Sequence, residues 1–263
     1  MTIIEINDII RTVLTKTRAL PTIKSHKEDI LNKTKIVEIR YNSVMDAYNL
    51  ALVYNSSLID KNWFLSALNP SLRFVMTNCS SKDLIKHIEN WMDLPENLKN
   101  KIAISEQTYK IEKYWNNIVG PQMISFLEFL YQKPFDFDKI TAYSTSAPMA
   151  DDDYKKNQFF FMIKNSSQEL KDDSDAAPLL KYSASIILHE LNHFMFHKHY
   201  GYLEKELSSD NFWILKESIT FFSNPFSPGY PKEKPLRDFY SSLNCNEYSL
   251  DKIIKMAIKK VLK

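Results

Sequence analysis

His189 and His193 stand four positions apart, with Glu190 between them, in the segment His189-Glu190-Leu191-Asn192-His193. On a helix, residues at that spacing project from one face, one turn apart, so two imidazoles there can bind a single cation. Glu190 lies about 100° further round the helix, off the ligand positions but within reach of a water on the cation. Two ligands and a base in one turn are the chemical content of the HExxH pattern. The flanks suit a buried helix. Ile186, Ile187 and Leu188 precede the segment, Phe194 and Met195 follow it, and no formal charge other than Glu190 lies between Lys181 and Lys198. The competing reading is a chance grouping on an ordinary helix, and the apolar setting argues against it.

Two histidines hold zinc weakly, and a catalytic site needs a third protein ligand plus an open position. Three residues compete for that role. Glu217 lies on the next predicted helix among Trp213, Ile214, Leu215 and Ile219, a setting that favours a partly buried carboxylate. His199 follows His193 at the spacing used where a chain turns sharply after the motif. Phe196, however, occupies the position where such a turn needs glycine, and the helix is expected to run on to Gly201. Asp210 suits a helix cap better than a ligand. Glu217 is therefore the preferred third ligand.

With these residues on the page, the sequence resembles the zincin metallopeptidases, and within them the gluzincins, whose pattern is HExxH followed by a glutamate on a later helix. The likeness covers residues 139–222 and is carried by His189, Glu190, His193 and Glu217. It implies a zinc-dependent peptidase acting on a peptide or protein, with Zn2+ held by His189, His193 and Glu217. The metal would acidify a water and polarise the scissile carbonyl, and Glu190, as general base, would pass the water's proton to the leaving amine. It also implies that a strand ahead of the motif helix binds extended substrate, a place taken here by residues 158–164. The developing oxyanion needs a further donor, for which Tyr230, Tyr240 and Tyr248 are candidates among 14 tyrosines. Lys216 stands where an asparagine often precedes the glutamate, and the exopeptidase GxMEN signature and the Met-turn have no counterpart. These departures bear on subfamily and substrate and leave the core residues intact.

The elements that must position the motif point to an α+β fold: a zincin-like catalytic domain, mostly helical, with a small mixed sheet ahead of the metal-binding helix. Residues 1–130 read as a mainly helical N-terminal part and residues 131–263 as the catalytic region. Helices are expected over residues 5–18, from a Ser43 cap through Val53, over Ser81 to Met92, over Ser105 to Trp115 and over Gln122 to Tyr131, with a break near Gly120-Pro121. Strands are expected over residues 35–41, 72–76, 139–145 and 158–164, the last an apolar run suited to a well-buried strand. Asp151, Asp152 and Asp153 lack the spacing and glycine of a calcium loop and read as a solvated loop. The motif helix should run from Pro178 to Tyr200, with Gly201 past its end. A helix capped by Ser209 or Asp210 should follow through about Phe222, then a proline-rich, largely irregular stretch over 223–237, then an amphipathic helix from Ser249 to Leu262.

The 263 residues include 44% hydrophobic and 13% aromatic side chains, enough for a sizeable core. A net charge of +2 offers no electrostatic footprint for nucleic acid or an anionic membrane. Three glycines exclude the glycine-rich dinucleotide and phosphate loops. Cys79 and Cys245 stand alone and support no disulfide framework. The first residues do not read as a signal peptide, and no window approaches a membrane span, so a cytoplasmic location is expected. Two other functions compete with peptidase activity. One is a non-catalytic protein that keeps the scaffold and binds a partner through its aromatic-rich first 130 residues. The intact Glu190 speaks against it, since a structural metal site needs no base. The other is metal-assisted hydrolysis of something other than a peptide.

Overall fold

Alternation of apolar and charged residues sets the first strand, β1 (Val37–Tyr41), with Val37 and Ile39 buried. The computed structural model describes residues 36–56, 59–149, 151–163, 173–223, 229–243 and 248–262; the helix expected over residues 5–18 and Cys245 lie outside them. Helices α1 (Ser43–Asn55), α2 (Lys61–Ser66), α3 (Pro70–Asn78), α4 (Leu84–Met92) and α5 (Pro95–Tyr114) follow. A π turn (Trp115–Val119) leads into α6 (Gly120–Tyr131). Next come β2 (Ile140–Thr145), β3 (Asp151–Asp153) and β4 (Gln158–Met162). The long helix α7 (Asp173–Tyr200) carries the motif and passes into a 3-10 turn at Gly201. The chain continues with α8 (Ser209–Ser218), α9 (Lys234–Ser241) and α10 (Leu250–Ala257). The fold is α+β, mostly helical with one small mixed sheet.

The strand order is β1-β2-β4-β3, with β1, β2 and β4 parallel and β3 antiparallel against β4. Phe159, Phe160 and Phe161 of β4 are all buried, as expected of an apolar strand with partners on both sides.

Several expectations need correcting. Residues 72–76 form no strand; they lie in helix α3, started by Asn69, whose side chain accepts from Ser71 N at 3.0 Å, and by Pro70 in the first turn. Leu72 and Met76 are buried one turn apart while Phe74 between them is 68% exposed. The cap of α1 is Asn42, not Ser43. Helix α5 begins at Pro95, ten residues ahead of the expected Ser105. The break at Gly120-Pro121 is replaced by the π turn, where the Gly120 N–H reaches back to Trp115 O and a Cβ on Gly120 would meet Trp115 Nε1 at 2.7 Å. The three aspartates form the edge strand β3 instead of a loop. Helix α7 begins at Asp173, ahead of Pro178. Helix α8 is capped by Ser208, whose hydroxyl accepts from Asn211 N at 3.2 Å. The proline-rich stretch is not irregular throughout, because Pro231 and Pro235 sit in the first turns of a 3-10 turn and of α9, where a missing N–H costs nothing.

The described chain forms two compact units. The described residues of the sheet unit fall within 36–120 and 137–190, and those of the helical unit within 121–136 and 191–262. In the sheet unit, α1, α2, α3 and α4 share a core of Leu50, Phe64, Leu72, Met76, Leu84 and Ile88. In the helical unit, α8 packs on α9, with Leu215, Leu236 and Tyr240 fully buried. The boundary in the chain falls between Glu190 and Leu191. Among the described residues, no helix is long and apolar enough to cross a membrane.

Candidate metal centre

Helix α7 alone sets the relation of His189, Glu190 and His193. Leu191, Phe194, Met195 and Phe196 on the same stretch are fully buried, so the helix is fixed by apolar packing. Glu190 is 4% and His193 2% exposed, and His189 is half-buried. Glu217, in the last turn of α8, is 7% exposed. Within the helical unit its Oε2 lies 3.5 Å from His193 Nε2, and its Oε1 lies 3.4 Å from Lys216 Nζ.

Within the helical unit His193 and Glu217 bring their ligand atoms together, and His189 stands one turn before His193 on the same helix. That grouping follows from two local relations: helix periodicity joins His189 to His193, and packing of α8 joins His193 to Glu217. A tetrahedral zinc site with ligand distances of about 2.1 Å places its donors about 3.4 Å apart. The 3.5 Å separation of His193 and Glu217 fits that spacing, and it is long for a direct hydrogen bond. Two imidazoles and one carboxylate also match the donor set of a catalytic zinc site.

Other residues weighed from the sequence fall elsewhere. His199 lies on α7 past a further turn and a half, where its ring contacts Tyr131; burial, the larger cause, and Lys198 lower its pKa. Asp210 lies in the exposed first turn of α8, 3.4 Å from Lys232. Tyr240 is sealed in the core with its hydroxyl 3.3 Å from Ser218 Oγ, and burial pushes its pKa up. Tyr230 is 48% exposed and packs against Trp213 with the rings tilted by 50°. Tyr248 carries Lys252 over its ring.

Two features were missed in the sequence. Asp152, on edge strand β3, offers a carboxylate oxygen within 4.8 Å of one of Glu190, both in the sheet unit. Its only sequence signal was the acidic run, read as a solvated loop. The strand expected to meet substrate, β4, is an inner strand; the sheet edge on that side is β3. The second missed feature is Asn192 inside the motif, fully buried and bonded on both sides, which no periodicity marks as special. A cavity of about 340 Å³ in the sheet unit, walled by Tyr41, Asp46, Trp91 and Lys101, is lined by none of the motif residues. Comparison with models of known families, with curated proteins and with solved structures finds no match to this chain.

Proposed function

We propose that the chain is a zinc-dependent hydrolase and, within that class, a peptidase on a zincin-like scaffold. The observation that carries the reading is the approach of buried Glu217 to His193, on the helix that also carries His189 and the buried Glu190. Zinc in such a donor set supplies a positive charge that polarises a carbonyl and acidifies a water. His189 and His193 bind through neutral imidazole nitrogens. Glu217 offers Oε2 to the metal while Lys216 holds Oε1, a partner that fixes the carboxylate's orientation. Glu190, off the ligand positions, takes the proton of the attacking water and hands it to the leaving amine. Its burial keeps bulk water from competing for that proton.

Support for a peptide as substrate comes from the sheet unit. Strand β3 is an edge, and an extended chain can add to such an edge through main-chain hydrogen bonds. Asp152 on that edge lies beside Glu190, so a peptide paired there would pass the base.

Elemental analysis of purified protein is expected to find one zinc per chain, and a mixed peptide library is expected to be cleaved. Glu190→Gln should keep the zinc and lose cleavage by about a hundredfold or more, while Glu217→Ala should lose zinc. Full cleavage by Glu190→Gln overturns the mechanism.

A further inference from the structure

A buried amide in the middle of an apolar helix face needs a reason, because an alkyl side chain would pack there without a desolvation cost. Asn192 is fully buried between Leu191 and His193. Its Oδ1 accepts from Tyr131 Oη at 2.6 Å, and its Nδ2 donates to Ser223 Oγ at 2.9 Å. Ser223 Oγ in turn donates to Thr220 O at 3.0 Å. Thr220 Oγ1 donates to the main-chain oxygen of Glu217 at 2.6 Å and accepts from Arg237 Nη2 at 3.2 Å. The Ser223 hydroxyl accepts from Asn192 and donates to the Thr220 carbonyl, while the Thr220 hydroxyl, a separate group on the same residue, accepts from Arg237 and donates to the Glu217 carbonyl. Through the residue Thr220 these bonds link Asn192, one residue before His193, to the backbone of Glu217, all within the helical unit.

We infer that Asn192 is a positioning residue, whose amide ties the helix bearing His193 to the turn bearing Glu217 and so sets the spacing of those two side chains. The inference rests on the zinc reading above. Apolar packing alone lets α8 slide or rotate against α7 by fractions of an ångström, whereas a buried hydrogen-bonded amide accepts one geometry. Metal sites depend on such outer partners, whose loss weakens binding without removing a ligand.

The test measures the zinc dissociation constant by competition with a chromogenic chelator, alongside the Tm of zinc-free protein. Asn192→Ala and the milder Ser223→Ala are each expected to weaken zinc binding by about tenfold. The double variant should be no weaker than the worse single one, since both lose the same bond. Leu236→Ala, a fully buried position outside the chain of bonds, should lower Tm and leave zinc affinity unchanged. Wild-type affinity in both Asn192→Ala and Ser223→Ala, with zinc still lost in Glu217→Ala, overturns the positioning role and leaves the zinc reading standing. A wild-type protein that binds no zinc overturns the zinc reading itself.

Discussion

Asp46 in the sheet unit and Asn192 in the helical unit are both sealed from solvent, and both are ringed by hydroxyl groups, yet they differ in charge. The Asp46 carboxylate ties α1 to the end of β2. Its Oδ1 accepts from Thr145 Oγ1 at 2.6 Å and Ser146 N at 2.9 Å, its Oδ2 from Ser146 Oγ at 3.0 Å, and the Tyr41 hydroxyl adds a further bond. Even so, burial pushes its pKa up to about 6. Donors at good distances do not fully replace water around a charge. The bonds of Asn192 carry no charge; beside them Arg237 donates to the Thr220 hydroxyl, and its guanidinium is matched by Glu233 Oε2 at 2.6 Å. One cluster is therefore sensitive to pH and the other depends on an intact pair.

Breaking that pair gives the largest expected effect. Arg237→Met leaves Glu233, 1% exposed, as a buried charge without its partner, and should cost about 3–5 kcal/mol in urea unfolding at neutral pH. A loss below 1 kcal/mol would show that the ion pair does not hold α9 in place. The next effect is a pH dependence. The unfolded chain releases the Asp46 proton near pH 4 and the folded chain near 6, so between those values the folded state binds more protons. Stability contributed by protonated Asp46 is thus present at low pH and lost as pH rises through that window, by about 3 kcal/mol for the whole shift. Asp46→Asn should flatten this component in unfolding curves taken from pH 4 to pH 7. The smallest effect sharpens the comparison: Tyr41→Phe removes one donor and should move the Asp46 titration further up, with a stability cost of about 1 kcal/mol, read by the same curves. A downward move would mean that the Tyr41 hydroxyl opposes the carboxylate instead of serving it.

How far the molecule could be read from its residues follows from how local each feature is. The spacing of His189 and His193 needs only helix periodicity. Strand β4 was legible because three successive phenylalanines suit burial on both faces. In residues 72–76 the run Leu-Arg-Phe-Val-Met is mostly apolar and short, as a strand can be, yet Leu72 and Met76 are also one helical turn apart. Asn69-Pro70 decided for the helix, and Phe74 was left outside. The aspartates of β3 have poor strand propensity and form a strand because β4 offers them a partner. The approach of Glu217 to His193 depends on how α8 packs, which its apolar neighbours hint at without placing. The bonds of Asn192 are wholly tertiary and leave no periodic trace.

Gly229 sits at φ +63°, and a Cβ there would meet Arg237 Nε at 2.2 Å and Glu233 Oε2 at 2.5 Å. In the language of tolerated variation, this half-buried position accepts a hydrogen and nothing larger. A saturation library selected for folding should therefore show a sharp gap at 229. Partial recovery of the gap by substitutions at 233 or 237 would map the ion pair from variant counts alone.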